Sequence, residues 1–173
     1  MASRASIGQD CGMNAQPQVI DSAALFLPLL VGAATTVLTI FIHGASGRAM
    51  VLLIFRALRR GVAGVSFRTD VLVIALAALI MLTAHLVEVM LWAAVLMLCG
   101  EFRNFGLACY HSATNYSTLG YGDIVMSARW RLMGPLEALD GILLVGISTA
   151  SLFAVIVRVT RSSHPDVWQE IDR

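Results

Sequence analysis

The sequence predicts an all-α membrane protein, with three transmembrane helices and a re-entrant segment between the second and third. Three observations carry this. The 173 residues are 58% hydrophobic and only 13% charged, with a mean hydropathy of +0.79; soluble domains carry about 25% charged residues. Three apolar runs, 23–43, 71–98 and 141–157, the last within a helix expected over 135–159, reach the roughly 17–25 residues that cross a bilayer as a helix. Between the second and third runs lies a polar, glycine-rich stretch, Thr118-Leu119-Gly120-Tyr121-Gly122-Asp123. Non-helical backbone at membrane depth is tolerated only where it lines a cavity or is buried in protein, so this stretch is expected to line a cavity. The net charge of +1 says nothing about nucleic acid, and no basic tail suggests it as a partner.

In chain order, residues 1–22 are mixed and polar and read as an extracytoplasmic segment. The first run, 23–43, is too long for a signal-peptide core, and positive charge follows it rather than preceding it. Residues 44–70 carry Arg56, Arg59 and Arg60 at helical spacing among Val51, Leu52, Ile54, Phe55 and Leu58. That pattern predicts a separate basic amphipathic helix at the membrane surface, closed by Arg68 and Asp70. The second run, 71–98, is longer than a bilayer needs and implies tilt. A short helix is expected over 104–117, ahead of the glycine-rich stretch at 118–123. Pro135 suits the first position of the last helix, 135–159. Glu137 and Asp140 suit the positive end of its dipole. Residues 160–173 form a short tail.

All twelve basic residues are arginines. Arg48, Arg56, Arg59, Arg60 and Arg68 follow the first run, and Arg158 and Arg161 follow the last. The positive-inside rule places both groups in the cytoplasm of a plasma (inner) membrane, with the N-terminus outside.

Thr118-Leu119-Gly120-Tyr121-Gly122-Asp123 resembles the selectivity filter of potassium channels, whose usual form has Val in place of Leu119. Upstream, Ala108-Cys109-Tyr110-His111-Ser112-Ala113-Thr114-Asn115-Tyr116-Ser117 is similar to the pore helix of small bacterial two-helix channels. Downstream, Val145-Gly146-Ile147-Ser148-Thr149 resembles their inner helix, with Gly146 at the hinge position. The resemblance covers 71–159; the run at 23–43 is an additional helix.

The resemblance implies a passive K⁺-selective channel. K⁺ would exchange its hydration shell for oxygens at Thr118, Leu119, Gly120 and Tyr121, with Gly122 completing the filter and Asp123 at the outer mouth. Tyr121 would pack outward, behind the strand. One copy per chain supplies a quarter of the ring, which implies a homotetramer in the lipid bilayer. Leu119 changes the packing behind the filter, so a weakly selective cation channel is the near alternative. No cofactor beyond the permeant ion is implied, and no nucleophile–base pair points to an enzyme.

His85 and Glu88 lie three apart on one face of the second run. Ionisable residues inside a membrane are functional candidates by default. The favoured reading is a hydrogen-bonded support behind the filter, near Tyr110 or His111; the sharper one is a proton-sensitive gate. A metal or cofactor site at His85 and Glu88, the reading from another class, lacks two further nearby ligands in the sequence. His43 reads as an interfacial residue, and His111 as packing within the pore helix.

Overall fold

A computed structural model of the chain describes residues 22–171, so the segment expected over 1–22 lies outside the described residues apart from Ser22. These residues form five α-helices: α1 (Ser22–Arg59), α2 (Phe67–Leu98), α3 (Phe105–Tyr116), α4 (Met133–Ser163) and the short α5 (Pro165–Ile171). Three of them, α1, α2 and α4, are long and apolar enough to cross a membrane, and the chain is a multi-pass membrane protein. Only 22% of the apolar window of each is buried within the chain. The remaining apolar surface, including Phe41, Leu76, Ile142 and Phe153, faces outward, the reverse of a soluble domain.

The first correction concerns α1. The expected break between a spanning helix and a surface helix over 44–70 is absent, and one 38-residue helix runs to Arg59. No proline interrupts it there, and Met50 and Ile54 are buried rather than laid on a membrane surface. They join Val73, Ala77, Met81, Val155 and Val159 in an apolar cluster shared by α1, α2 and α4. The helix ends where Gly61 takes a positive φ of 63°, with its N–H on the Leu58 carbonyl and the Val62 N–H on that of Ala57.

The second helix begins four residues earlier than expected, because the Ser66 hydroxyl accepts a hydrogen bond from the Thr69 N–H and caps it. Arg68 and Asp70 therefore lie within the first turn of α2 and do not close a separate segment. The Asp70 carboxylate accepts from the Gly64 N–H (2.7 Å) and the Ser163 hydroxyl (2.5 Å), tying the α1–α2 loop to the end of α4. The last helix starts at Met133, so Pro135 sits in its first turn but not at its first position. Glu137 and Asp140 are buried against other helices instead of decorating the helix dipole.

The short helix α3 forms where expected, capped by Asn104, whose side chain accepts from the Leu107 N–H at 3.1 Å. It lies in contact with α2 and α4. A second apolar cluster surrounds it, built from Trp92, Leu96, Phe102, Ala108, Tyr116, Met126, Trp130 and Met133. The two apolar clusters occupy opposite ends of the bundle. Between them lies a layer of buried polar side chains: Thr39, His43, Glu88, Asp140 and Ser148.

Candidate functional site

The stretch after α3 has an unusual backbone. Thr118, Gly120 and Gly122 have φ of 61°, 51° and 73°, while the intervening Leu119 and Tyr121 do not take positive φ. Alternation of hand turns successive peptide groups to the same side, which gathers like backbone atoms along one edge. Left-handed φ is nearly free for glycine and costs other residues about 1–2 kcal/mol; Thr118 meets that cost. A Cβ at Gly120 or Gly122 would touch nothing within 4 Å, so dihedral freedom and not space requires glycine there.

The strand hangs from the C-terminal end of α3. The Thr118 N–H donates to the Asn115 carbonyl (2.8 Å) and the Gly120 N–H to that of Thr114 (3.0 Å). The Ser117 hydroxyl donates to the Ala113 carbonyl at 2.6 Å. At the far end, the Tyr110 hydroxyl donates to Asp123 at 2.8 Å, so the outer carboxylate is braced by the helix behind it. The Ser127 N–H and hydroxyl both donate to Glu101, pinning the following loop. Leu119 and Tyr121 are 56% and 66% exposed, so the described residues leave most of each uncovered.

Behind this strand the polar layer resolves into two tiers. In the first, Glu88 is fully buried and accepts from the Tyr116 hydroxyl at 2.5 Å. Its other carboxylate oxygen lies 3.0 Å from His43 Nδ1, and His85 Nδ1 lies 3.1 Å from the Tyr116-bonded oxygen. Ser148 of α4 bridges the far nitrogens of both rings, 2.9 Å from His85 Nε2 and 3.2 Å from His43 Nε2. In the second tier, about one turn away along α1 and α2, Asp140 accepts from the Thr39 hydroxyl and the Trp92 indole N–H, each at 2.8 Å. Farther along α4, Glu137 accepts from the Ser112 hydroxyl of α3 at 2.5 Å.

His85 and Glu88 do join a hydrogen-bonded network, which meets α3 at Tyr116. Its partners differ from those expected, being Tyr116, His43 and Ser148 in place of Tyr110 or His111. His43 is not interfacial: it is buried within the bundle, because the unbroken α1 packs between α2 and α4 at this depth. His111 is buried on α3, its ring 5.0 Å from that of Phe102. Of the two further ligands that the sequence lacked near His85 and Glu88, the structure brings up one, His43. His43, His85 and Glu88 present ligand atoms within 4.8 Å of one another. Sequence distance hid this, since His43 stands 45 residues from Glu88. Gly146 stands free: a Cβ there meets nothing within 4 Å.

Residues 84–158 match a family model described as ion channel, a segment that takes in Glu88, all of α3, the glycine-rich strand and most of α4. No curated protein and no solved structure matches the chain.

Proposed function

We propose that four copies of this chain form a K⁺-selective channel, with Thr118–Gly122 of each copy lining one quarter of the filter. The observation that carries this is the alternating-hand backbone of Thr118, Gly120 and Gly122, suspended from the end of a half-buried short helix. Backbone carbonyls gathered on one edge are the groups that replace the hydration shell of K⁺. The ion-channel match over 84–158 supports conduction as the activity. Asp123 from each copy adds a carboxylate at the mouth and raises the local cation concentration. Gly146, unopposed by packing, is the position at which α4 can bend as a gate.

Orientation follows the arginines. The loop between α1 and α2 meets the end of α4, so Arg56, Arg59, Arg60, Arg68, Arg158 and Arg161 gather at one end of the bundle. The positive-inside rule assigns that end to the cytoplasm and the glycine-rich strand to the outer half of the plasma membrane.

The test is cation flux into liposomes holding the purified protein, first under a K⁺ gradient and then under a Na⁺ gradient, beside a Gly120→Ala variant. The expected result is K⁺ flux well above Na⁺ flux, abolished in the variant because Ala resists φ near 51°. Equal K⁺ and Na⁺ flux would replace this reading with a weakly selective cation channel, in which Leu119 loosens the filter. Wild-type flux no higher than that of empty liposomes would overturn both.

A further inference from the structure

We propose that His43, His85, Glu88 and Tyr116 form a site for one divalent transition-metal ion of the zinc class in each chain, independently of whether the pore selects K⁺. The donors come from three helices and converge. His43 Nδ1 lies 3.0 Å from Glu88 Oε1, and His85 Nδ1 lies 3.1 Å from Glu88 Oε2 and 2.9 Å from the Tyr116 hydroxyl. Four donors held at about 2.0–2.1 Å from a tetrahedral ion stand roughly 3.3 Å apart, close to these separations, so an ion would part the Tyr116 hydroxyl from Glu88 Oε2, now 2.5 Å away. Imidazole nitrogen and carboxylate oxygen are the ligands that such ions take.

Proton bookkeeping is compatible with the assignment. Glu88, His43, Ser148 and His85 form a closed ring of four contacts. With Glu88 ionised and both imidazoles neutral, the two rings and the Ser148 hydroxyl hold three protons for those four contacts. The Tyr116 hydroxyl, within reach of both His85 Nδ1 and Glu88 Oε2, brings a fourth proton to that corner when no ion is bound. A divalent ion takes a different arrangement. Both rings then carry their proton on Nε2 and donate to the single Ser148 oxygen, which has two lone pairs to accept them. Both Nδ1 atoms are left bare toward Glu88 and Tyr116. An outer hydrogen-bond partner that fixes the ring tautomer is a regular companion of metal-bound histidine, and here one serine serves two rings.

The charge balance agrees. Among the described residues, Glu88 has the two histidines as its ion-pair partners. Asp140 stands one tier away, so Glu88 and Asp140 together match a 2+ ion. His85, with 17% of its side chain exposed, is the approach to an otherwise closed site. Bound there, the ion would clamp α1 to the foot of α3, and through Ser148 to α4 two residues beyond Gly146.

The experiment measures metal content in the tag-free, full-length protein in detergent, stripped with a chelator and re-equilibrated with Zn²⁺. About one zinc per chain is expected, with four-coordinate ligand-field bands when Co²⁺ is substituted. His43→Ala and His85→Ala are expected to abolish binding, whereas His164→Gln, at an exposed position, leaves it unchanged. Ser148→Ala keeps the stoichiometry and weakens affinity about 10–100-fold. Folded wild-type protein that holds no more zinc than His43→Ala overturns the site and leaves a ring completed by a shared proton. If the histidine variants do not fold, the Co²⁺ spectrum of the wild type decides alone, and six-coordinate bands count against the site.

Discussion

Gly141 sits where α4 crosses the foot of α3, and a Cβ there would stand 2.0 Å from the Tyr116 carbonyl oxygen. That neighbour is backbone and cannot swing aside. Gly141→Ala must push α4 off the helix that carries the glycine-rich strand, and at the same time pull the Tyr116 hydroxyl from Glu88. Overpacking of this kind costs about 1–3 kcal/mol or more. The variant is expected to lower the thermal midpoint in detergent and to abolish flux, whereas Gly146→Ala, with open space at its Cβ, folds as the wild type does. Asp140 supplies a second case. Its Oδ2 holds both Thr39 and Trp92, while Oδ1 has no partner among the described residues. Trp92→Phe keeps most of the ring volume and removes one of those two donors from a buried carboxylate, a loss of about 1–3 kcal/mol. A thermal midpoint equal to that of the wild type would show that the indole N–H is not needed.

Among the elements, α1 shows why some of the structure was legible in the sequence and some was not. The spans, the short helix and the glycine-rich strand announce themselves through local signals: run length, the Asn104 cap, and glycines at alternate positions. The continuation of α1 past residue 43 does not. Arginines between apolar residues at helical spacing look the same whether the apolar face meets lipid or protein, and only the presence of Val73, Met81 and Val155 decides. The same reason concealed His43, because its partners lie on helices 42 or more residues away. Lipid is as apolar as a helix face, so burial of Ile54 gains packing more than transfer energy. Ile54→Ala is therefore expected to cost about 1–2 kcal/mol, mainly through the cavity it leaves. Leu52→Ala, at a position 41% exposed, is expected to change the thermal midpoint little. Equal effects would mean that this part of α1 does not pack against α2 and α4.

At the scale of the whole molecule, the proposed four-fold assembly answers to surface that the described residues of one chain leave exposed. Leu119 and Tyr121 project from the glycine-rich strand, and Leu139, Ile142, Leu143 and Phe153 line an outward face of α4. Lipid can cover the helix face, but the backbone edge of a strand at membrane depth needs protein or a water-filled cavity beside it. Cyclic symmetry about that edge supplies both, and four copies make the ring the proposed function requires. This arrangement makes a quantitative demand on mixtures. If each pore needs four sound strands, co-assembly of wild type with Gly120→Ala leaves conducting only those pores with no variant copy. At equal amounts that is about one pore in sixteen for a closed four-fold ring. The measurement is K⁺ flux across a series of mixing ratios, with size-exclusion chromatography confirming that the variant assembles. Flux falling as the fourth power of the wild-type fraction supports the shared pore. A linear fall, to half at equal amounts, would mean that each chain conducts by itself, and the alternating backbone of residues 118–122 would then have to form a pore within one bundle, where Leu119 and Tyr121 stay mostly exposed.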